Sequence, residues 1–224
     1  MMNTSTGKFL SWPTLAWQAA GLLALLLGSG CTSVPFRAIE PVPVADMAPA
    51  AVRARFEARM PGDFTTENSV VFEFWGRKMA ALGWGEVNTA KRHFTVVCLT
   101  HVGVKLFEVT GEGDKIQSTF ALPEFAQRDE MARAVGEDIR KIYFDRVPSA
   151  RAEIRKQRKA ITYTDKTGDG RIEFVFAGKD GVLVEKRHYR GEDLVATVGF
   201  YEYAEKDGRL FPGGVVLKNH EYGY

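Results

Sequence analysis

Hydrophobic and polar residues alternate along most of this chain with a period of two, which predicts a mainly β fold. The alternation begins at about Asn68 and returns in segment after segment up to the C-terminus. The segments lie close together, and most turns between them place a glycine among charged residues, which favours antiparallel hairpins. The first segment continues through Trp84, and Gly76, Gly83 and Gly85 predict bends or bulges in it. The later predicted strands are 94–101, 104–109, 115–122, 160–164, 171–177, 182–189, 194–203 and 210–218.

Two segments have the period of an amphipathic helix instead. In residues 50–60 the apolar side chains recur every fourth position, and Pro61 and Gly62 end the pattern. In residues 126–144 Met131, Val135 and Ile139 share one face, which predicts a helix that covers a sheet. The predicted fold class is therefore mainly β within an α+β arrangement.

The first thirty residues have the pattern of an export signal. Residues 19–27 form an apolar run, AAGLLALLL, that is shorter than the roughly 20 residues needed to span a bilayer. Small residues follow directly, and then Cys31. We predict a signal peptide at 1–30 and a lipid anchor on the Cys31 thiol. The alternative is an ordinary secretory signal cleaved near Ser29 or Gly30, with Cys31 unmodified.

Residues 31–49 contain four prolines, at positions 35, 41, 43 and 49. Proline can neither continue a helix nor donate to a sheet, so such a segment tends to be extended. We interpret 31–49 as a tether to the membrane and 50–224 as the folded domain.

Charge and composition exclude a nucleic-acid-binding footprint. The formal net charge of +2 falls to +1 when Lys8 is removed with the signal peptide, whereas such proteins carry a concentrated basic face. A local basic run lies at residues 151–159. It is interpreted as a solvated surface segment, with contact to anionic lipid head groups as the alternative.

No catalytic or metal-binding pattern emerges from the chemistry-bearing residues. Cys98 lies in an apolar strand and is predicted to behave as a small hydrophobic side chain. Residues 165–172 resemble the start of a calcium-binding loop, but Phe176 occupies the position that needs a glutamate, and a hairpin turn explains the same residues. The histidines lack metal-ligand spacing. We expect no enzyme activity, no metal and no cofactor.

The order of these features resembles that of the lipoprotein localisation factors LolA and LolB, and more closely a family of uncharacterised bacterial lipoproteins that share their fold. The resemblance covers residues 50–224 and includes the closing stretch 211–217, FPGGVVL. It implies a curved antiparallel sheet that forms a half-open barrel, with helices capping its mouth. Thr32 follows Cys31 where an aspartate would favour the inner membrane, so the resemblance implies the periplasmic face of the outer membrane.

Several predicted strands are apolar on both faces, as in residues 194–203, whereas a sheet with one wet face shows polar residues at alternate positions. The resemblance implies that the concave sheet binds an acyl chain, a lipid or a lipoprotein, for envelope lipid or lipoprotein transport, and the apolar strands agree with this prediction. The alternatives are that the same rings fill a closed core and that the chain is a non-enzymatic interaction or scaffold lipoprotein with an envelope protein partner. The predicted lining residues are Phe72, Phe74, Trp75, Trp84, Phe107, Phe174, Phe176 and Phe200.

Overall fold

The computed structural model describes residues 34–74, 77–126 and 129–224. The predicted signal peptide, Cys31 and Trp75 lie outside these residues, and one compact unit covers Phe36–Tyr224. Within the described residues the helices are α1 (Pro49–Ala58), α2 (Pro123–Ala126) and α3 (Asp129–Tyr143). The strands are β1 (Asp63–Phe74), β2 (Arg77–Asn88), β3 (His93–Leu99), β4 (Lys105–Glu112), β5 (Lys115–Ala121), β6 (Glu153–Lys156), β7 (Ala160–Thr167), β8 (Gly170–Ala177), β9 (Val182–Arg190), β10 (Asp193–Lys206) and β11 (Arg209–Asn219).

The strands form two antiparallel sheets, each with its strands in chain order. Sheet A has the order β1-β2-β3-β4-β5, and sheet B has the order β11-β10-β9-β8-β7-β6. The prediction of a mainly antiparallel β fold with helices is confirmed. The described strands divide into two sheets and close no barrel, and α2 and α3 lie between the two sheets along the chain. The half-open barrel of the LolA and LolB type stays a prediction.

The prediction of bends or bulges at Gly83 and Gly85 is wrong, and Gly76 lies outside the described residues. The register of the β1–β2 hairpin is continuous from Asp63 opposite Asn88 to Phe74 opposite Arg77. Gly83 makes room for a neighbour instead, since a Cβ there would lie 2.9 Å from Cγ2 of Val70. Bulges lie elsewhere, for example between Cys98 and Leu99 in the β3–β4 pairing.

Helix α3 covers one face of sheet A, as its amphipathic pattern predicts. Met131, Val135 and Ile139 pack against a core that includes the fully buried Phe94 and Cys98. Cys98 therefore behaves as the predicted small hydrophobic residue, and burial raises the pKa of its thiol to about 11. Burial of this stripe, rather than helix propensity alone, stabilises α3 in place.

Helix α1 covers sheet B in the corresponding way. It begins at Pro49, whose missing N–H would have had no intrahelical partner. Val52 and Phe56 are its buried residues, and the Phe56 ring meets the Phe176 ring edge-on at 5.1 Å between centroids. This edge-to-face geometry suits the quadrupoles of the two rings.

Residues 36–49, which belong to the predicted tether, pack against sheet B. The Phe36 ring lies 5.8 Å from that of Tyr201, and Val44 is buried. The Lys156 ammonium on β6 donates to the carbonyl oxygens of Ala45 and Met47. Within the basic run at 151–159, residues 153–156 form the edge strand β6, and their side chains are exposed. The sequence pattern did not predict this strand. A role for residues 31–49 as a membrane connection stays a prediction.

Candidate functional site

A cavity of about 250 Å³ lies between the edge of sheet A and the helices that follow it. β4 and β5 form its floor, and α2 with the first turns of α3 forms its roof. The Leu122 N–H donates to the Leu106 carbonyl oxygen before the chain turns into α2. This bond fixes the start of α2 over the sheet. The lining residues are Phe107, Val109, Ile116, Ser118, Ala121, Phe125, Ala126, Met131, Ala132 and Arg133.

Eight of the ten residues that line the cavity are apolar, and the other two are Ser118 and Arg133. The Phe107 and Phe125 rings lie 5.8 Å apart at 59°. Ser118 and Arg133 are exposed. The volume is just under the range of roughly 300–1,000 Å³ typical of small-molecule sites. The cavity therefore suits a short apolar chain, or the end of a longer one.

Small side chains produce this space. Ala121, Ala126 and Ala132 stand where larger residues would close the gap between helix and sheet. β5 is an edge strand with mostly exposed side chains, so the cavity opens where no further strand covers it. Farther along α3, Gly136 allows the helix to approach β5 closely, because a Cβ there would lie 2.6 Å from Cγ2 of Ile116.

The structure places the predicted lining residues in different environments. Phe107 lines the cavity, and Phe72 is half-buried against the same core. Phe174 and Phe176 are fully buried in the core of sheet B under α1, which supports the alternative of a filled core at these positions. The side chain of Phe74 is not among those that the structure describes.

Trp84, which was predicted to line the site near its mouth, lies on the face of β2 that is opposite the buried residues. On β2 the buried positions are Ala81, Gly85 and Val87, so Trp84 points to the opposite face. It pairs there with Glu67 and Val97.

The same outer face of sheet A carries exposed apolar side chains, so strands of this sheet have apolar residues on both sides. Val71 is 63% exposed, Phe120 40% and Leu82 36%. Apolar residues on both faces therefore do not require a ligand on both.

The other predicted phenylalanine of sheet B, Phe200, borders a second cavity. This cavity measures about 270 Å³ and lies between sheet B and residues 38–41. Glu185 and Arg187 line it and pair with each other, so it has a charged wall. Val175 and Ala177 contribute apolar surface. The first cavity has one charged lining residue, Arg133, which is exposed, whereas the second is lined by this ion pair.

A buried polar cluster lies where α3 ends against sheet B. The Lys186 ammonium is fully buried and donates to the carbonyl oxygens of Lys141, at 2.9 Å, and Phe144, at 2.8 Å. These carbonyls lie at the C-terminal end of the helix, where cations are favoured. Burial nevertheless lowers the pKa of Lys186 to about 7.

The histidine beside this lysine is held neutral. His188 lies on the same face of β9, and its Nε2 atom is buried without a hydrogen-bond partner in the described part of the chain. Burial, followed by the charges of Lys186 and Lys141, lowers its pKa to about 3. An imidazole with so low a pKa is a poor general base near neutral pH.

The sequence did not indicate the cavity residues Phe125 and Ala132, since nothing in their pattern separates them from ordinary core residues. Met131 belonged to the predicted apolar face of α3.

The calcium-like stretch, residues 165–172, forms a β7–β8 hairpin in which Thr167 pairs with Gly170, as expected. Asp165 accepts hydrogen bonds from the backbone N–H and the hydroxyl of Ser149. Among residues 34–74, 77–126 and 129–224, no group of three His, Cys, Asp or Glu side chains could hold a metal ion.

Comparison with known proteins identifies no family for this chain. No family model and no curated protein matches it. Among solved structures it is similar to the crystal structure of a DUF1329 family protein from Desulfovibrio piger ATCC 29098, with a TM-score of 0.43 and 11% identity. That similarity covers 77% of this chain and 85% of the other. A likeness at this level identifies no ligand or activity.

Helices of membrane-spanning length and hydropathy do not occur among the described residues.

Proposed function

We propose that this chain is a lipoprotein of the outer membrane that binds a hydrophobic ligand, an acyl chain or a lipid, for envelope lipid or lipoprotein transport. The observation that carries the proposal is the apolar cavity between β4, β5, α2 and α3. Phe107, Phe125 and Met131 line it, and it opens at the edge strand β5. Burial of an apolar chain there would contribute about 25 cal/mol per Å² removed from water.

A short uncharged amphiphile tests this binding. The full chain is purified, and binding of decan-1-ol is measured by native mass spectrometry and by titration. Ala132→Leu adds side-chain volume to the cavity and is expected to lower the affinity at least fivefold. Ala134→Leu is the matched control, because Ala134 lies on the same helix but does not line the cavity.

Two outcomes count against the ligand-binding proposal. One is the absence of decan-1-ol binding to the unmodified chain. The other is an equal loss of affinity in the Ala132 and Ala134 variants, since this would reflect general damage to α3. Recovery of an envelope protein with the chain, and of no lipid, would favour a scaffold function instead.

The lipid anchor is tested separately, with the two cysteines as variant and control. Cys31→Ser is expected to abolish incorporation of labelled palmitate and to release the chain from membranes. Cys98→Ser is expected to leave both unchanged, because that thiol is buried. Labelling that persists in the Cys31 variant would contradict the proposed anchor.

A further inference from the structure

Arg146 lies in the interior, directly after α3, where the two sheets approach each other. Its side chain is almost fully buried, at 6% exposure. The guanidinium carbon lies 5.8 Å from the centre of the Phe64 ring on β1. That ring also lies 5.9 Å from the ring of Phe211 on β11 and 5.8 Å from that of Tyr143 on α3. Arg146 therefore packs on a ring that connects the first strand of sheet A with the last strand of sheet B.

The guanidinium has no anionic partner in the described part of the chain. Its Nη2 atom is buried and makes no hydrogen bond there. The neighbouring carboxylate, Asp145, turns outward and binds both terminal nitrogens of Arg92, at 2.9 and 3.3 Å. Burial lowers the pKa of Arg146, and the groups that oppose this effect are the hydroxyls of Tyr203 and Tyr143 rather than a carboxylate.

The surrounding interior carries an excess of positive charge. The buried Asp, Glu, Lys and Arg residues of the described part of the chain are Asp138, Arg146 and Lys186. Asp138 is already engaged by Lys141 and by Asn219. Lys186 has carbonyl partners and is able to release its proton, whereas a guanidinium stays charged in proteins. Arg146 therefore keeps an uncompensated charge, which is costly in a protein interior.

A line of polar groups leads from solvent toward Arg146. Asn68 on β1 is exposed, and its amide Nδ2 lies 3.4 Å from the Tyr143 hydroxyl and 2.5 Å from Oγ1 of Thr66. Thr66 and Tyr143 are half-buried. These amide and hydroxyl groups can all donate hydrogen bonds to an oxyanion.

We propose that Arg146 binds an oxyanion, a carboxylate or a phosphate, which enters along β1 past Asn68 and Tyr143. A planar guanidinium offers two parallel N–H donors to such a group, and this charge-assisted pairing is strong when buried. The anion would be either the charged end of an amphipathic ligand or free phosphate. The site stands apart from the apolar cavity, so its existence does not depend on the proposed function.

The experiment measures thermal unfolding of the full chain with three separate probes, namely inorganic phosphate, decanoate and decan-1-ol. Arg146→Met removes the charge and keeps a long side chain. Arg151→Met removes an exposed arginine and serves as the control. We expect phosphate or decanoate to raise the Tm of the unmodified chain and of the Arg151 variant. In the Arg146 variant the affinity for the same anion should fall at least tenfold.

The probes also distinguish the source of the anion. An increase in Tm with phosphate alone points to a free anion. An increase in Tm that is larger with decanoate than with either phosphate or decan-1-ol points to an amphiphile with a charged end. Binding of decan-1-ol without any anion effect would support the apolar cavity and overturn the oxyanion site. An equal increase in Tm with the anion in the Arg146 and Arg151 variants would also overturn the oxyanion site.

The stability of the ligand-free variant separates binding from a structural role. Removal of an unpaired buried charge should leave the Tm of Arg146→Met equal to or above that of the unmodified chain. If that variant does not fold, Arg146→Lys keeps the charge but loses the planar fork, and its anion affinity should fall at least fivefold. Unchanged affinity in the lysine variant would contradict the guanidinium geometry proposed here.

Discussion

Replacement of the buried Lys186 by methionine should change how the stability of the protein depends on pH. Lys186 is completely enclosed, and its pKa falls from the ordinary 10.5 to about 7, first because of burial. In the unfolded chain the same amine keeps its proton up to about pH 10.4. Between these two values the unfolded state therefore binds more protons at this site than the native state does.

The sign and size of the effect follow from proton linkage. Stability rises with pH wherever the unfolded state binds more protons. One such site gives a slope that approaches 1.36 kcal/mol per pH unit, so a change from pH 7.5 to 9.5 corresponds to about 2–3 kcal/mol. Below about pH 7 the lysine is charged in both states and the dependence ends.

The assay is urea unfolding of the full chain at pH 7.5, 8.5 and 9.5, for the unmodified chain and for Lys186→Met. The difference in unfolding free energy between the two should grow with pH in favour of the unmodified chain. Lys179→Met changes an exposed lysine in the β8–β9 turn, and its unfolding free energy should change with pH in the same way as that of the unmodified chain. Parallel curves for Lys186→Met as well would show that the buried amine titrates normally, and the reasoning from burial would be refuted.

Two further predictions concern packing. Gly111→Ala should destabilise the protein by about 1–3 kcal/mol in urea unfolding, because its Cβ would overlap the fully buried Phe94 ring. Phe94→Leu in the same chain should recover part of that loss, and purely additive losses would contradict the clash. Phe176→Ala should cost about 3–5 kcal/mol by the same assay, since it leaves a void under α1. Phe120→Ala, at a 40% exposed ring, should cost much less, and similar losses would contradict the assigned packing.

Most strands and both longer helices could be predicted from the sequence, because their signals are local. The β7–β8 turn is an example, since Gly168 takes a positive φ of 29° where the pattern of glycine and charge predicted a hairpin. Strand β6 escaped prediction, because its EIRK sequence is exposed and charged. Its position depends on pairing with β7 and on the bond from Lys156 to residues 45 and 47.

The candidate site was predicted less well. Phe107 was expected to line a ligand site and does line a cavity, but Phe174 and Phe176 have the same residue type and are sealed in a core. Alternation alone cannot separate these outcomes, since a lining ring and a core ring are equally apolar. The cavity depends on three alanines that meet from β5, α2 and α3, and no local pattern reports how far apart those elements lie.

The sequence by itself determined the periodicity of each segment, the turns between strands and the apolar face of α3, because hydrogen-bond geometry and side-chain direction repeat over a few residues. The tertiary structure alone decided the division into two sheets, the outward direction of Trp84 and the burial of Arg146 and Lys186. Burial is set by groups far away in the chain, and the cost of burying a charge depends on whether such a group brings an opposite charge. For Arg146 none of the described residues does.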